Sequence, residues 1–132
     1  MDKKSRFLGC LLGGAAGDAL GYPVEFIGEP AIRNRFGPAG IGRLDQAGQP
    51  ALISDDTQMT LFAAEGILYA RATGTALWKA LWTAYLEWLG TQGDRSRMDP
   101  DHPQMQLYGE PRLHARRAPG NTCLAALRHS RC

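Results

Sequence analysis

The sequence of 132 residues predicts an all-α protein. Three segments, residues 5–20, 57–72 and 77–89, carry apolar side chains at the spacing of an α-helix. No segment shows the strict alternation of apolar and polar residues that is typical of a half-buried strand. The composition, 44% hydrophobic and 21% charged, is that of a globular chain. Because the length is that of one domain, we expect residues 1–132 to belong to a single all-α domain.

The first predicted helix, residues 5–20, presents one continuous apolar face. Glycines recur every four residues on an adjacent strip, and their missing side chains allow another helix to approach closely. These glycines are Gly9, Gly13, Gly17 and Gly21. Asp18 lies near the negative end of the helix dipole, where a carboxylate is mildly unfavourable. From this position alone, Asp18 is either a surface acid or a functional residue.

The N-terminal segment also bears on where the protein resides. Only Phe7, Leu8 and Gly9 separate Arg6 from Cys10, which is too few residues for the hydrophobic region of a lipoprotein signal. The apolar stretch ends at Asp18, short of the roughly 20 apolar residues that span a bilayer. The three cysteines, Cys10, Cys123 and Cys132, are widely spaced and form no CxxC pair. We therefore expect a cytoplasmic protein without membrane attachment.

Two long loops are predicted between and after the helices. Residues 21–53 contain glycine and proline too often for long regular elements, and we expect an ordered loop with one short helix at 31–36. Its apolar residues are expected to pack on the core. Residues 90–120 are polar and interrupted by four prolines, which predicts a second loop. A last helix is expected from Cys123 to about Ser130, after a polar cap.

The central helices have clear boundary signals. Gly74 is expected to end the helix over 57–72, and Thr75 is predicted to cap the next one. That helix contains all three tryptophans of the chain, Trp78, Trp82 and Trp88. Stacking of bases on these rings is one interpretation, but their helical spacing favours packing in the core.

The charge of the chain argues against a nucleic-acid partner. The formal net charge is only +2, which gives no strong electrostatic attraction to phosphates. A cluster of three arginines, Arg112, Arg116 and Arg117, lies in the second loop, where a solvated basic loop is the ordinary interpretation. An all-α nucleic-acid binder that uses residues 112–131 is thus the least favoured of the alternatives.

The most distinctive segment is Ser54-Asp55-Asp56-Thr57-Gln58-Met59-Thr60, where the first loop meets an amphipathic helix. A polar N-cap and an acid in the first turn stabilise a helix, the acid by about 0.3 to 1 kcal/mol, so capping explains one carboxylate. Two adjacent carboxylates repel each other, and a hard cation such as Mg²⁺ is the usual reason to hold them together. A helix cap and a metal site both stay open at this point.

Three segments, in this order, resemble the ADP-ribosylglycohydrolase family. They are Gly9 to Gly21 followed by Glu25-Phe26, Ser54 to Thr60, and Arg117 to Cys123. The resemblance extends from about Arg6 to Arg128 and is of the dinitrogenase reductase activating glycohydrolase and ADP-ribosyl-acceptor hydrolase type. It implies an orthogonal helical bundle with long ordered loops and the removal of ADP-ribose from an acceptor. It also implies a pair of divalent ions, Mg²⁺ or alternatively Mn²⁺.

The resemblance assigns roles to particular residues. Ser54, Asp55 and Asp56 are implied to be metal ligands, with Ser54 where the family has Ser or Thr. Glu25 matches the acid of the family pattern G-D-x-L-G-x-x-x-E and is implied to lie over the metal site. Either Glu25 or Asp56 would act as the catalytic carboxylate that accepts a proton from the attacking water. Asp18 is implied to support the site rather than bind the metal.

The resemblance also implies the substrate and a segment that opens a helix. The substrate would be an ADP-ribosylated protein or a small ADP-ribosyl compound, with no nucleic acid and no membrane as a partner. Gly120 to Thr122 match a family segment that begins a helix, and we favour this structural role for them over a ligand-binding one.

One family motif has no counterpart in this sequence. The family takes further metal ligands from an Asp-x-Asp-Thr motif near its C-terminus, and Asp99-Pro100-Asp101 matches it only by letter, in a loop broken by prolines. We therefore expect the chain to be the N-terminal part of the family domain, an incomplete bundle with impaired activity. Apolar faces without partners would favour self-association. The alternative is a non-catalytic module that binds a nucleotide, an ADP-ribosyl ligand or a protein partner without metal.

Overall fold

The computed structural model describes residues 2–99, 101–102 and 104–129. This part of the chain contains helices and turns but no strand, so the predicted all-α class is confirmed. The α-helices are α1 (Lys3–Gly21), α2 (Glu29–Phe36), α3 (Leu44–Ala47), α4 (Asp55–Thr73), α5 (Leu77–Thr91) and α6 (Asn121–His129). Short 3₁₀ turns lie at Tyr22–Val24, Gln106–Gly109 and Pro111–His114.

Contacts divide the chain into two compact units, Met1–Thr57 and Gln58–Cys132. The prediction of one domain over 1–132 stays a prediction. Several expectations fall on residues outside the described ones: the end of the last helix at Ser130, the third cysteine Cys132, Arg131 in the basic segment, and Pro100 between Asp99 and Asp101.

Helix α1 organises the first unit. The Asp2 side chain caps it by accepting a hydrogen bond from the Ser5 N–H at 2.7 Å, and α1 contacts α3 and the 3₁₀ turn that follows it. Ala19 is the buried residue of this helix, whereas its apolar face is largely exposed. Phe7, for example, is 72% exposed. The helix is correctly predicted, and its apolar face is left largely uncovered by the described part of the chain.

The glycine strip of α1 is open rather than packed. A Cβ atom built at each of these glycines meets no heavy atom within 4 Å among the described residues; they are Gly9, Gly13, Gly17 and Gly21. The expected close approach of another helix is therefore wrong here. Glycine in the interior of a helix lowers its stability relative to alanine. At these positions, no close contact in the described residues compensates for that loss.

The length of α1 also corrects the sequence-based argument about membranes. Within the segment Lys3–Val24, a window of 18 residues has a mean hydropathy of 1.2, so the segment is long and apolar enough to cross a membrane by length and composition alone. A signal sequence near an N-terminus and a core helix of a soluble protein pass the same test. The exclusion of a spanning helix on length was wrong, and the absence of membrane attachment stays a prediction.

The first loop contains more helix than expected. Pro30 at its first turn lets α2 begin at Glu29, two residues before the predicted start, since proline fits that position without losing a hydrogen bond. The Arg33 guanidinium then donates to the Glu29 carboxylate at 2.8 Å and to the Pro38 carbonyl at 2.7 Å. Not all apolar loop residues pack inward as expected, because Phe26, Ile27 and Leu44 are exposed.

The second unit has a continuous apolar core. Residues of α4, α5, α6 and the loop between α5 and α6 form it: Phe62, Ala84, Leu86, Trp88, Leu89, Met105, Leu113, Leu124 and Leu127. Trp88 is fully buried, as its helical spacing predicts, but Trp78 is 57% exposed on the first turn of α5. Ala76 rather than Thr75 occupies the N-cap of α5, and no side chain caps this end. The predicted Thr75 cap is wrong.

Gly66 allows α4 to approach α5 closely. A Cβ atom at Gly66 would lie 3.1 Å from the Ala80 carbonyl oxygen and 3.2 Å from the Leu81 Cα. We expect Gly66→Ala to lower the free energy of unfolding by about 1–3 kcal/mol, because backbone atoms cannot move aside cheaply. Gly13→Ala, at an open position of α1, should leave stability unchanged or raise it by about 0.5–1 kcal/mol. Urea unfolding of the two variants checks both values, and equal effects would contradict this packing.

Candidate functional site

The acidic segment singled out in the sequence forms the first turn of α4. The helix begins at Asp55, and the Ser54 hydroxyl oxygen accepts a hydrogen bond from the Asp56 N–H at 3.2 Å. Ser54 and Asp55 are buried, whereas Asp56 is exposed. The capping interpretation is thus confirmed for Ser54, whose hydroxyl keeps a second lone pair that a cation can use.

Asp18 of α1 holds this turn in place. Its Oδ2 atom accepts hydrogen bonds from the Ser54 N–H at 2.8 Å, the Thr57 N–H at 3.2 Å and the Thr57 hydroxyl at 2.5 Å. These donors lie at the N-terminal end of α4, where the helix dipole favours negative charge. A carboxylate that is unfavourable for α1 is therefore favourable for α4, which explains Asp18 without a metal ligand role.

The structure does not join Glu25 to the first turn of α4, here called the acidic turn, with Ser54, Asp55 and Asp56. Glu25 follows the 3₁₀ turn Tyr22–Val24 and is exposed, and its N–H donates to the Tyr22 carbonyl at 3.4 Å. Among the described residues, its carboxylate forms no hydrogen bond or ion pair. Its catalytic role stays a prediction.

The oxygen atoms of the acidic turn are suitable ligands for a hard cation, but they form only part of a ligand set. The donors of Ser54, Asp55 and Asp56 are all oxygen atoms, which Mg²⁺ prefers, and Mg²⁺ often uses only one or two protein carboxylates. Within the described ranges, no group of three or more His, Cys, Asp or Glu side chains is placed to hold an ion. The turn therefore offers a partial set of ligands, and their assignment stays a prediction.

The acids near Pro100 make a local turn. The Asp101 N–H donates to the Asp99 carboxylate at 2.9 Å, an interaction typical of an Asx turn. A local loop turn therefore accounts for two aspartates at this spacing.

Sequence reasoning missed a buried polar network that starts directly after the acidic turn. Gln58 is fully buried, and its Oε1 accepts hydrogen bonds from the Trp88 indole N–H at 3.2 Å and the Gln92 amide at 3.1 Å. Its own amide donates to the Ala115 carbonyl at 2.9 Å. A signal was present, because Gln58 lies four residues before the buried Phe62 and hence on the same face of α4.

The third segment of the family resemblance opens a helix. Helix α6 begins at Asn121, and the Leu124 N–H donates to the Gly120 carbonyl at 3.0 Å, which makes Gly120 the residue before the first turn. The helix-opening role expected for Gly120 to Thr122 is confirmed.

Arg112, in the basic loop that precedes this segment, is occupied locally. Its guanidinium donates to both oxygens of Glu110, at 2.8 and 3.0 Å, and these hydrogen bonds lower the pKa of Glu110 to about 2. The expectation of a solvated basic residue at Arg112 agrees with its exposed position.

Fold and site together define a class: an all-α protein in which a pair of adjacent carboxylates begins a long helix and a third carboxylate fastens that helix end. The family model for ADP-ribosylglycohydrolase matches residues 1–131. The chain belongs to the ADP-ribosylglycohydrolase family, and at the level of that family it is a hydrolase of the glycohydrolase kind. Searches of curated proteins and of solved structures each found no match.

Proposed function

We propose that this protein removes ADP-ribose from a modified acceptor by Mg²⁺-dependent hydrolysis of the glycosidic bond. The observation that carries the proposal is the Asp18 clamp on the first turn of α4, which presents the adjacent carboxylates of Asp55 and Asp56. A carboxylate used only as a surface acid would not need three hydrogen bonds from one helix end. The family match supports the glycohydrolase reaction.

Each residue of the candidate site has a proposed role. Ser54, Asp55 and Asp56 would hold Mg²⁺, or alternatively Mn²⁺, through oxygen atoms. When bound, the ion would lower the pKa of a water molecule and orient it and the substrate for attack at the anomeric carbon. Asp56, which is exposed, or Glu25 would accept the proton of the attacking water. The acceptor would be an ADP-ribosylated protein or a small ADP-ribosyl compound in the cytoplasm.

The activity of these 132 residues alone is proposed to be impaired. The described residues provide a partial ligand set only. For the same reason, a second function is kept: a non-catalytic module that binds an ADP-ribosyl ligand, a nucleotide or a protein partner without metal. The two functions differ in whether ligand binding needs Mg²⁺.

Thermal unfolding tests the proposal. The chain is melted with and without ADP-ribose, each in Mg²⁺ and in chelator. A ligand that binds only the folded state raises stability by about 2.7 kcal/mol at a hundredfold excess over Kd. We expect a shift that needs both Mg²⁺ and ADP-ribose and is lost in Asp55→Asn. Asp45→Asn, an exposed acid of the same unit, should keep it.

The other outcomes are equally decisive. A shift with ADP-ribose in chelator would favour the binding module. No shift in any condition would contradict the proposed hydrolase and an ADP-ribosyl-binding module, and would leave only a module for another nucleotide or a protein partner. Release of ADP-ribose from a modified protein, measured with and without Mg²⁺, then tests hydrolysis directly. Full Mg²⁺-dependent turnover by the purified chain would contradict the proposed impairment.

A further inference from the structure

A cavity of about 190 Å³ lies in the second unit, beside α5 and the loop that follows it. Residues of α5 and of the loop line it: Trp82, Thr83, Leu86, Glu87, Met98, Asp99, His102 and Gln104. At about 30 Å³ for each water, the volume corresponds to roughly six water molecules, which is enough for a small organic ligand. The lining thus combines apolar and aromatic side chains with two carboxylates, an imidazole and two neutral polar groups.

Glu87 is the polar centre of this cavity. Its side chain is buried, with only 3% of the residue exposed, and both carboxylate oxygens share one donor, the Met105 N–H, at 3.0 and 3.2 Å. An ionised carboxylate can accept about four hydrogen bonds. Burial raises the pKa of Glu87, and the nearby Glu65 carboxylate raises it further, against the lowering effect of Met105 and His102. The carboxylate is therefore short of donors and of positive charge.

Among the described residues, no neighbouring side chain donates a hydrogen bond to the Glu87 carboxylate. The His102 Nε2 atom lies 3.3 Å from the Tyr69 hydroxyl, whereas its Nδ1 atom is buried without a hydrogen-bond partner. Asp99 adds a second carboxylate to the lining, and no lysine or arginine is among the described lining residues. The Arg97 guanidinium instead lies over the Trp82 ring, 6.0 Å from its centroid, and donates to the Arg128 carbonyl.

We propose that this cavity binds a small organic cation, a protonated alkylamine, with its ammonium group at Glu87 and its alkyl chain against Trp82 and Leu86. The ammonium group supplies donors that the Glu87 carboxylate lacks, and charge-assisted hydrogen bonds are the stronger kind. The alkyl chain fills the apolar part of the cavity against Trp82 and Leu86, where its surface is removed from water. The inference does not depend on the proposed function, since none of these residues belongs to the acidic turn.

Calorimetric titration of the chain with n-butylammonium chloride tests the inference, with n-butanol as the neutral probe of similar shape. We expect saturable binding of the amine with a Kd of about 1 mM, and weaker binding of the alcohol by about tenfold or more. Glu87→Gln keeps an acceptor for the Met105 N–H and should weaken amine binding by about tenfold or more. Trp82→Leu removes part of the apolar contact with the alkyl chain and should weaken amine binding several-fold.

Glu110→Gln is the matched control, because Glu110 is an acid of the same unit that does not line the cavity. It should bind the amine as the unchanged chain does. Equal binding of alcohol and amine, no saturable amine binding, or unchanged affinity in Glu87→Gln would each overturn the proposal. If Glu87→Gln does not fold, the comparison of the two probes and the Trp82→Leu variant decide.

Discussion

Gln58→Ala should lower the free energy of unfolding by about 3 kcal/mol or more, the largest stability effect that we expect in this chain. The substitution removes the acceptor of the Trp88 indole N–H and of the Gln92 amide, and the donor to the Ala115 carbonyl. The Trp88 indole N–H would lose its partner in a buried environment, where an unsatisfied polar group costs about 1–3 kcal/mol. The Gln92 amide would keep only the Thr91 hydroxyl as acceptor, and the part-buried Ala115 carbonyl would lose its donor. Urea unfolding followed by tryptophan fluorescence measures the change.

A matched control distinguishes the effect of losing these hydrogen bonds from the effect of replacing a glutamine by alanine. Gln106 is an exposed residue of the same unit, at the start of the 3₁₀ turn Gln106–Gly109, and Gln106→Ala should change stability by no more than about 0.5 kcal/mol. Trp88→Phe removes one donor and keeps the aromatic packing, so we expect an intermediate loss. If Gln58→Ala and Gln106→Ala were equally stable, the hydrogen bonds of Gln58 would contribute nothing net.

Asp18→Ala should destabilise the first unit and disturb the acidic turn together. It leaves the N–H groups of Ser54 and Thr57 and the Thr57 hydroxyl without their acceptor. Because hydrogen bonds to a charged group contribute about 1.5–3 kcal/mol, we expect a loss of about 2 kcal/mol or more in urea unfolding. Asp18→Asn keeps an accepting oxygen but not the charge and should lose less.

The control for Asp18 is Asp45→Ala. Asp45 pairs with Arg43 at 2.7 Å on the surface, with half of its side chain exposed, and such pairs contribute about 0–1 kcal/mol. If Asp18 positions the acidic turn as we propose, Asp18→Ala also abolishes the stabilisation by Mg²⁺ with ADP-ribose, whereas Asp45→Ala preserves it. A normal ligand response in Asp18→Ala would show that the clamp is structural only.

The exposed apolar side chains of α1 bear on the state of the chain in solution. Phe7, Leu8 and Leu12 are all more than half exposed, and large apolar patches favour association. Self-association through these faces stays a prediction.

The sequence by itself determined the long helices and the start of the candidate site. Apolar periodicity located α1, α4 and α5 within a few residues, because side chains that recur every 3.6 residues lie on one face of a helix. The adjacent acids Asp55 and Asp56 were visible because polar caps and first-turn acids have a local physical cause. The order of the three motifs was sufficient to identify the family, since each motif is continuous in the chain.

The tertiary structure decided what each residue contacts. Asp18 is 36 residues from Ser54, and Gln58 is 57 residues from Ala115, so no local pattern shows that they meet. Likewise, the periodicity of α1 marks an apolar face but not what covers it, which is why the open glycines of this helix were not foreseen. Periodicity depends on short-range geometry, whereas hydrogen bonds and burial depend on which distant segments the fold brings together.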